Sequence, residues 1–429
     1  MLLGLHMGFR DHISGAMIIS NSTSCIHEIM SISSQNNHCK MIFQNIPSSP
    51  GHRVALNLLT RQRLSDSFGI NSSDLIDILA NAMNNRQTPA EVGISDSNAL
   101  KSGQEKVDLT KLPIPWHYPE DRGHYMSASI IIAEYDGQRN VSFHRQYIRD
   151  ANHIVARLVP RHLRTMVDKA RANGDTIPIV IVNGADPTVL LSAAMSFDEP
   201  IDELTVAATL HQELNGTPLE LVRLSNGILA PAHAEYLMEA TITLQDDDEG
   251  PYVDITGTLD DVRQEPVIEV HKIHHRVDPI FQGLIPAEAE HKTLMGIPRA
   301  PTIKNAVNKV VDCVDVHLTE GGCGWLSSVV SINPGAEGEG RKAIEAALAG
   351  HRSMKQVIVV DSDIDVSNSV QVEWAMMTRW QPDKDTIITS NQKGSSLDPS
   401  RNSDGTTAKI GYDATLPPGI NRAPFTAVR

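Results

Sequence analysis

Short apolar runs separated by polar turns alternate along the chain with stripes of helical period. KMIFQNIP at 40–47 reads as a strand, RVALNLLT as a further apolar segment, and residues 73–83 as an amphipathic helix started by Asn71, Ser72 and Ser73. A polar stretch from Asn84 to Leu112 runs into LPIPWHYP, where Pro113, Pro115 and Pro119 disfavour regular structure and suggest a domain boundary. From Ser127 to about Val277 the pattern is strand-rich. SASIIIAEYDGQRNVSFHRQYI predicts a hairpin through Asp136-Gly137, and helices over 160–172 and 202–215 interrupt the strands. Beyond Thr302 the segments NAVNKVVDCVDVHL, WLSSVVSI, RKAIEAALAG and QVIVVDSDID follow a strand, helix, strand rhythm, which predicts a parallel sheet carrying helices. The expected organisation is an N-terminal α/β domain over 1–112, a central strand-rich domain over 113–301 and a C-terminal α/β domain over 302–429.

Composition narrows the function. A chain of 429 residues makes two or three domains at roughly 150 residues each. With 37 Lys and Arg against 52 Asp and Glu, the net charge is −15, so no overall field attracts nucleic acid or an anionic membrane surface. Apolar runs such as Val357 to Val360 stop far short of the ~20 residues that span a bilayer. Cys25, Cys39, Cys313 and Cys323 form no CxxC unit, and the start MLLGLHMGFRDH lacks a secretory pattern; both lead us to expect a reduced, cytoplasmic protein.

Several constellations could carry chemistry. In NVSFHR, Asn140 and Arg145 stand five apart, an odd spacing that puts them on opposite strand faces unless the strand bends between them. DDDEGPYVDITG holds Glu249 and Asp254 around a Gly250-Pro251 turn; paired carboxylates in a partly dry site can keep one proton near neutrality. Glu203 opens a predicted helix and His162 lies in PRHL; with Asn140 they are ligand types for a divalent ion such as manganese, although their scatter makes no ligand spacing. His271, His274 and His275 are read as structural. GAEGEGR, at 335–341, is read as a turn, because it lacks strand-then-helix context and the Lys-Ser/Thr of a phosphate loop.

Together these segments resemble the UbiD family of decarboxylases. The resemblance runs from about Glu28 to Pro417 and rests on NVSFHR, PRHL, the Glu203 helix, APAHAE, EGPYVDITG, EHKTLMGIPRAP, GGCGW, VDSDID, VEWAMMTRWQPD, GSSLDPS and TAKIGYDAT. It implies a central split β-barrel that binds prenylated FMN, between two α/β domains. It further implies that Asn140, Glu203 and His162 hold a manganese ion bridging to the cofactor phosphate, that Arg145, Glu249 and Asp254 form the catalytic set, and that Arg145 and Lys409 are cofactor contacts. Potassium is a further candidate ion. The expected partners are a small-molecule substrate, a second copy of the chain in a homo-oligomer and a separate flavin prenyltransferase that supplies the cofactor; no nucleic acid and no membrane is expected.

The departures from the family pattern carry information. Asp254 stands where many relatives acting on aromatic or cinnamic acids have Glu, and His144 where they often have Tyr. Ala240 and Ala300 replace the Gly of a usual EG pair and the Glu of a usual PREP. The wording of PYVDITGTLDDVRQEPVIEV looks closer to the archaeal branch that decarboxylates trans-anhydromevalonate 5-phosphate to isopentenyl phosphate. A shorter acid at 254 leaves room for a branched, phosphate-bearing substrate, for which Lys409 and Arg379 are candidate cations. The alternatives are an aromatic-acid decarboxylase of the hydroxybenzoate type and a non-catalytic flavin-binding protein. An NAD-linked oxidoreductase is disfavoured, since no GxGxxG follows a strand.

Overall fold

The structure, a computed structural model, describes residues 8–101 and 106–426. The opening residues 1–7 and part of the polar stretch, 102–105, lie outside the described residues. The chain packs as two compact units, 1–70 with 82–291 and 71–81 with 292–429.

In the first unit, Met17–Ser22, Met41–Asn45, Arg53–Leu56 and Ile280–Gln282 form a four-stranded sheet in that order. Its outer pairs are parallel and its middle pair antiparallel. The helix Glu28–Gln35 supplies the crossover that the first parallel pair needs. Ile280–Gln282 brings the chain back to this sheet after the central strands.

The central strands build an eight-stranded antiparallel sheet. Its order is Tyr125–Met126, Gln146–Ile148, His153–Ala156, Arg263–His275, Tyr236–Glu249, Ile177–Asn183, Ile130–Tyr135 and Gln138–Phe143. The last two form the expected hairpin, with φ of 51° at Asp136 and 73° at Gly137, the left-handed pair that a two-residue turn requires. Gln138–Phe143 is one edge of the sheet, whereas Gln146–Ile148 is second from the other. Only His144 and Arg145 separate them, a link of at most about 11 Å. The sheet must therefore curl until its margins nearly meet, a barrel with an open seam. Alternate residues Ile131 and Ala133, Ile179 and Ile181, Met238 and Ala240, and Ile268 and Val270 turn into a core shared with Phe43, Val54 and Leu56.

The second unit holds a five-stranded sheet ordered Asp312–Leu318, Ser327–Asn333, Gln356–Asp361, Thr406–Ala414 and Thr386–Lys393. The expected parallel sheet is in fact mixed: the inner pairings are parallel and both edge pairings antiparallel. The first edge strand is joined to its neighbour by a short glycine-rich turn at 319–326, with no helix to carry a parallel crossover. Part of NAVNKVVDCVDVHL is helix rather than strand, because Pro301 in the first turn favours the helix Ala300–Val307, and the strand begins only at Asp312. GAEGEGR also differs from expectation. It does lie between a strand and a helix, Ser327–Asn333 and Glu339–Gly350, but the Glu339 carboxylate accepts the N–H groups of Gly335 and Ala336 at 2.6 and 3.1 Å, which leaves them no phosphate to bind. Among the described residues no helix is long and apolar enough to cross a membrane.

Candidate active site

The two-residue link across the barrel seam carries the central side chain. The strand stops at Phe143, and Arg145 turns toward the loop that follows Tyr236–Glu249. Its Nε and Nη2 donate to the two oxygens of Glu249 at 2.9 and 2.8 Å, Nη1 donates to Asp254 Oδ2 at 2.7 Å, and Nη2 also donates to Asp260 Oδ2 at 2.8 Å. Four of the five guanidinium N–H groups thus face carboxylates. The guanidinium carbon lies 4.8 Å from the centre of the Tyr252 ring.

One short loop presents all these partners. Gly250 between Glu249 and Pro251 has a φ of 91°, and a Cβ there would sit 2.9 Å from the Asp261 carbonyl, so only glycine fits the turn. Tyr252–Val253 then pairs with Leu259–Asp260, and this small hairpin returns Asp260 beside Arg145. Glu249 is fully buried, while the side chains of Asp254 and Asp260 keep 19% exposure.

The charges are unbalanced. Three carboxylates surround Arg145; among the described residues Arg263, which donates to Asp260 at 2.6 Å, is the second cation paired within the set, while Arg157, paired to Glu265, also lowers Glu249 electrostatically. Burial raises the pKa of Glu249 above the ordinary carboxylate value against the lowering by Arg145. Burial also opposes the charge on Arg145, but Glu249, Asp254 and Asp260 overcome it and hold the guanidinium ionised. Arg263 and Arg145 hold Asp260 below its ordinary value despite burial.

A second cluster lies on the strand that ends at Phe143. Asn140 and Glu203 are both buried, and the Asn140 amide donates to Glu203 Oε1 at 3.0 Å while the Val141 N–H donates to Oε2 at 2.7 Å. Glu203 opens the helix Glu203–Asn215, capped by Asp202. Ser142 Oγ donates to Asn140 Oδ1 at 2.7 Å and lies 2.9 Å from His144 Nε2, so residues 140, 142 and 144 share a face, as strand alternation requires. Burial pushes His144 down to about 4, and it is neutral. Burial pushes Glu203 up to about 8, because among the described residues only N–H donors and no basic side chain meet its carboxylate. A dry carboxylate beside an amide fits a hard divalent cation, although no cluster of three or more His, Cys, Asp or Glu forms a metal site among the described residues.

The predicted residues therefore divide. Arg145, Glu249 and Asp254 come together, and Asn140 meets Glu203. His162 begins the helix His162–Ala172 half-buried, and among the described residues no hydrogen bond or ion pair joins it to Asn140 or Glu203. Lys409 is buried in the second unit, where its Nζ donates to the Arg352 carbonyl and burial lowers its pKa. Arg379 is not free for a substrate phosphate: it is bound to Asp361, to both oxygens of Asp363 and to the Phe425 carbonyl. His271 and His274 have ordinary partners in Thr241 and Glu239. Sequence reasoning missed Asp260, Tyr252 and Ser142; the Thr256-Gly257 turn in ITGTLD was a usable hairpin signal for the first. A separate cavity of about 220 Å³ adjoins Arg10, His211 and Arg276, but Arg10 is spent on Glu235 at 2.7 and 2.9 Å.

Comparison with known proteins places this geometry. Residues 93–289 match the 3-octaprenyl-4-hydroxybenzoate carboxy-lyase Rift-related domain, and residues 292–414 match the C-terminal domain of the same enzymes. The chain belongs to the UbiD family. The anhydromevalonate phosphate decarboxylase of Methanosarcina mazei is 42% identical over 87% of each chain. That of Methanocaldococcus jannaschii is 40% identical over 85% of this chain and 86% of its own. Among solved structures, the UbiD-class enzyme HmfF of Pelotomaculum thermopropionicum in complex with FMN superposes with a TM-score of 0.93, at 30% identity, over 99% of this chain and 97% of its own. UbiD-family membership makes the chain a carboxy-lyase of the flavin-dependent kind, and all three residues of the Arg145 set fall within the Rift-related match.

Proposed function

We propose that this chain decarboxylates trans-anhydromevalonate 5-phosphate to isopentenyl phosphate and CO2, using prenylated FMN. The single observation that carries the reading is Arg145 gripped by Glu249 and Asp254 on one loop, in a chain about 40% identical to decarboxylases of that name. Loss of CO2 from an unsaturated acid leaves electron density that no side chain absorbs well, and the prenylated flavin supplies the electron sink.

The residues of the chain do the rest. Arg145, held by its planar double contact to Glu249, presents Nη1 to bind and orient the substrate carboxylate. Asp254 is the exchangeable partner, since it is partly exposed and holds a single guanidinium nitrogen, whereas Glu249 is buried and holds two. A substrate carboxylate taking the Nη1 position displaces Asp254 from its cation; the freed carboxylate takes up a proton from solvent and delivers it to the carbon that lost CO2. Glu249 keeps Arg145 aimed throughout. Asn140 and Glu203 would hold manganese, with His162 as a third ligand. We further read the protein as a cytoplasmic homo-oligomer that depends on a flavin prenyltransferase, with potassium as an additional ion.

Holoenzyme made beside a prenylating enzyme should be assayed with the phosphate ester, a hydroxybenzoate and a cinnamate. Release of isopentenyl phosphate is expected. Turnover of an aromatic acid but not the phosphate ester would move the chain to the aromatic-acid branch, and turnover of none would leave a flavin-binding protein.

A further inference from the structure

The loop that carries Glu249, Tyr252 and Asp254 is tied to a strap at 118–127. The Arg122 N–H donates to the Pro251 carbonyl at 2.9 Å, the Gly250 N–H donates to Tyr125 Oη at 3.2 Å, and Ser127 Oγ pairs with Tyr252 Oη at 2.8 Å. At the centre is Asp121, which is 3% exposed. Its Oδ1 accepts the Val253 N–H at 2.8 Å and its Oδ2 accepts the Tyr118 N–H at 3.1 Å. No guanidinium or ammonium pairs with it among the described residues; its other neighbour is His117 Nδ1, at 3.7 Å.

A carboxylate buried without a cation is costly, and it persists where its geometry serves something. Here the amide of Val253 lies between the ring under Arg145 and the acid on Nη1. We propose that Asp121 is a positioning residue: by holding the Val253 amide it fixes Tyr252 beneath Arg145 and sets Asp254 at proton-transfer distance. This rests on the role given to Asp254 above and adds a residue that does not touch the reacting atoms.

Only a carboxylate fits both donors. An asparagine could accept from Val253 but would turn its own NH2 toward the Tyr118 N–H, donor against donor. Protonation has the same effect. Burial raises Asp121 to about 6, Arg145 opposes the rise and Glu120 adds to it, while buried His117, pushed down to about 3, stays neutral and offers no countercharge.

The test uses Asp121→Asn in the full chain. Amide hydrogen exchange over 249–256, followed without substrate, should quicken by about ten-fold while exchange elsewhere is unchanged. In holoenzyme, kcat should fall by about ten-fold or more with little change in KM or flavin content, and Asp121→Glu should restore part of it. Unchanged exchange, a kcat within two-fold of the parent, or a kcat loss matched by flavin loss overturns the proposal. If Asp121→Asn does not fold, Ser127→Ala tests the same strap: a few-fold loss of kcat at constant KM supports it, and no loss overturns it. A parent enzyme inactive on every acid would refute the substrate reading, while the exchange measurement would still decide the role of Asp121.

Discussion

Two guanidinium groups in this chain have similar surroundings, and we propose opposite roles for them. Arg145 and Arg379 each hold one carboxylate by a double contact and a second by a single one, Arg145 meeting a third in Asp260, and each lies over an aromatic ring, Tyr252 at 4.8 Å and Trp374 at 5.2 Å. The difference is balance. Arg379 and Arg422 together face Asp361 and Asp363, two cations for two anions, and the Arg379 hydrogen bond holds Asp363 below its ordinary value. Around Arg145, Glu249, Asp254 and Asp260 outnumber Arg145 and Arg263, and Glu249 is pushed up. We read the neutralised cluster as a staple and the excess of buried acid as a site that exchanges partners or protons.

The comparison breaks most directly at the arginines themselves. Arg145→Lys should lower kcat by about 10²–10³-fold, since one ammonium cannot reproduce the planar grip, and it should leave circular dichroism spectra unchanged. Asp254→Asn should lower kcat by about 10²-fold by removing the proton donor. Arg379→Lys should instead cost about 3 kcal/mol of stability, as expected for a damaged buried pair, read by denaturant unfolding with kcat preserved in the folded fraction. A dead but fully stable Arg379→Lys would show that balance does not separate the two roles. Glu203 is a buried acid that no guanidinium meets among the described residues, and Glu203→Ala should reduce bound manganese and flavin by about ten-fold or more, measured by elemental analysis and absorbance.

How much of this was readable beforehand follows from what each feature depends on. The Asp136-Gly137 hairpin and the helix opened by Asp202 and Glu203 were legible because turn and cap chemistry is local. The Arg145 set was visible through family motifs alone. Its five-residue spacing from Asn140 looked unfavourable, and the break at His144 and Arg145 arises because the barrel seam falls there, which depends on strands as distant as Arg263–His275. Arg379 was misread for the same reason: its partners Asp361 and Asp363 lie in a motif 16 to 18 residues away and face it only once the sheet has formed. The edge strands of the second sheet were misassigned because strand direction is set by connection length and not by the apolar pattern.

The smallest expected effect separates the two clusters by pH. Asp363 has a folded pKa below its ordinary 3.8, so its contribution to stability is fully present above 3.8 and is lost as pH falls through the folded value. Glu249 has a folded pKa above its ordinary 4.5; the native state then binds more protons than the unfolded chain, and stability declines as pH rises from 4.5 to the folded value. Asp363→Asn should therefore flatten the acid side of the stability curve, and Glu249→Gln should flatten the fall on the neutral side. Asp363 is 41% exposed, so solvent screening holds its share to about 1 kcal/mol or less. Thermal denaturation of the two variants and the parent between pH 3 and 8 checks this. If both variants lost their pH dependence on the same side, the two clusters would be titrating alike and the distinction between staple and site would have to rest on catalysis alone.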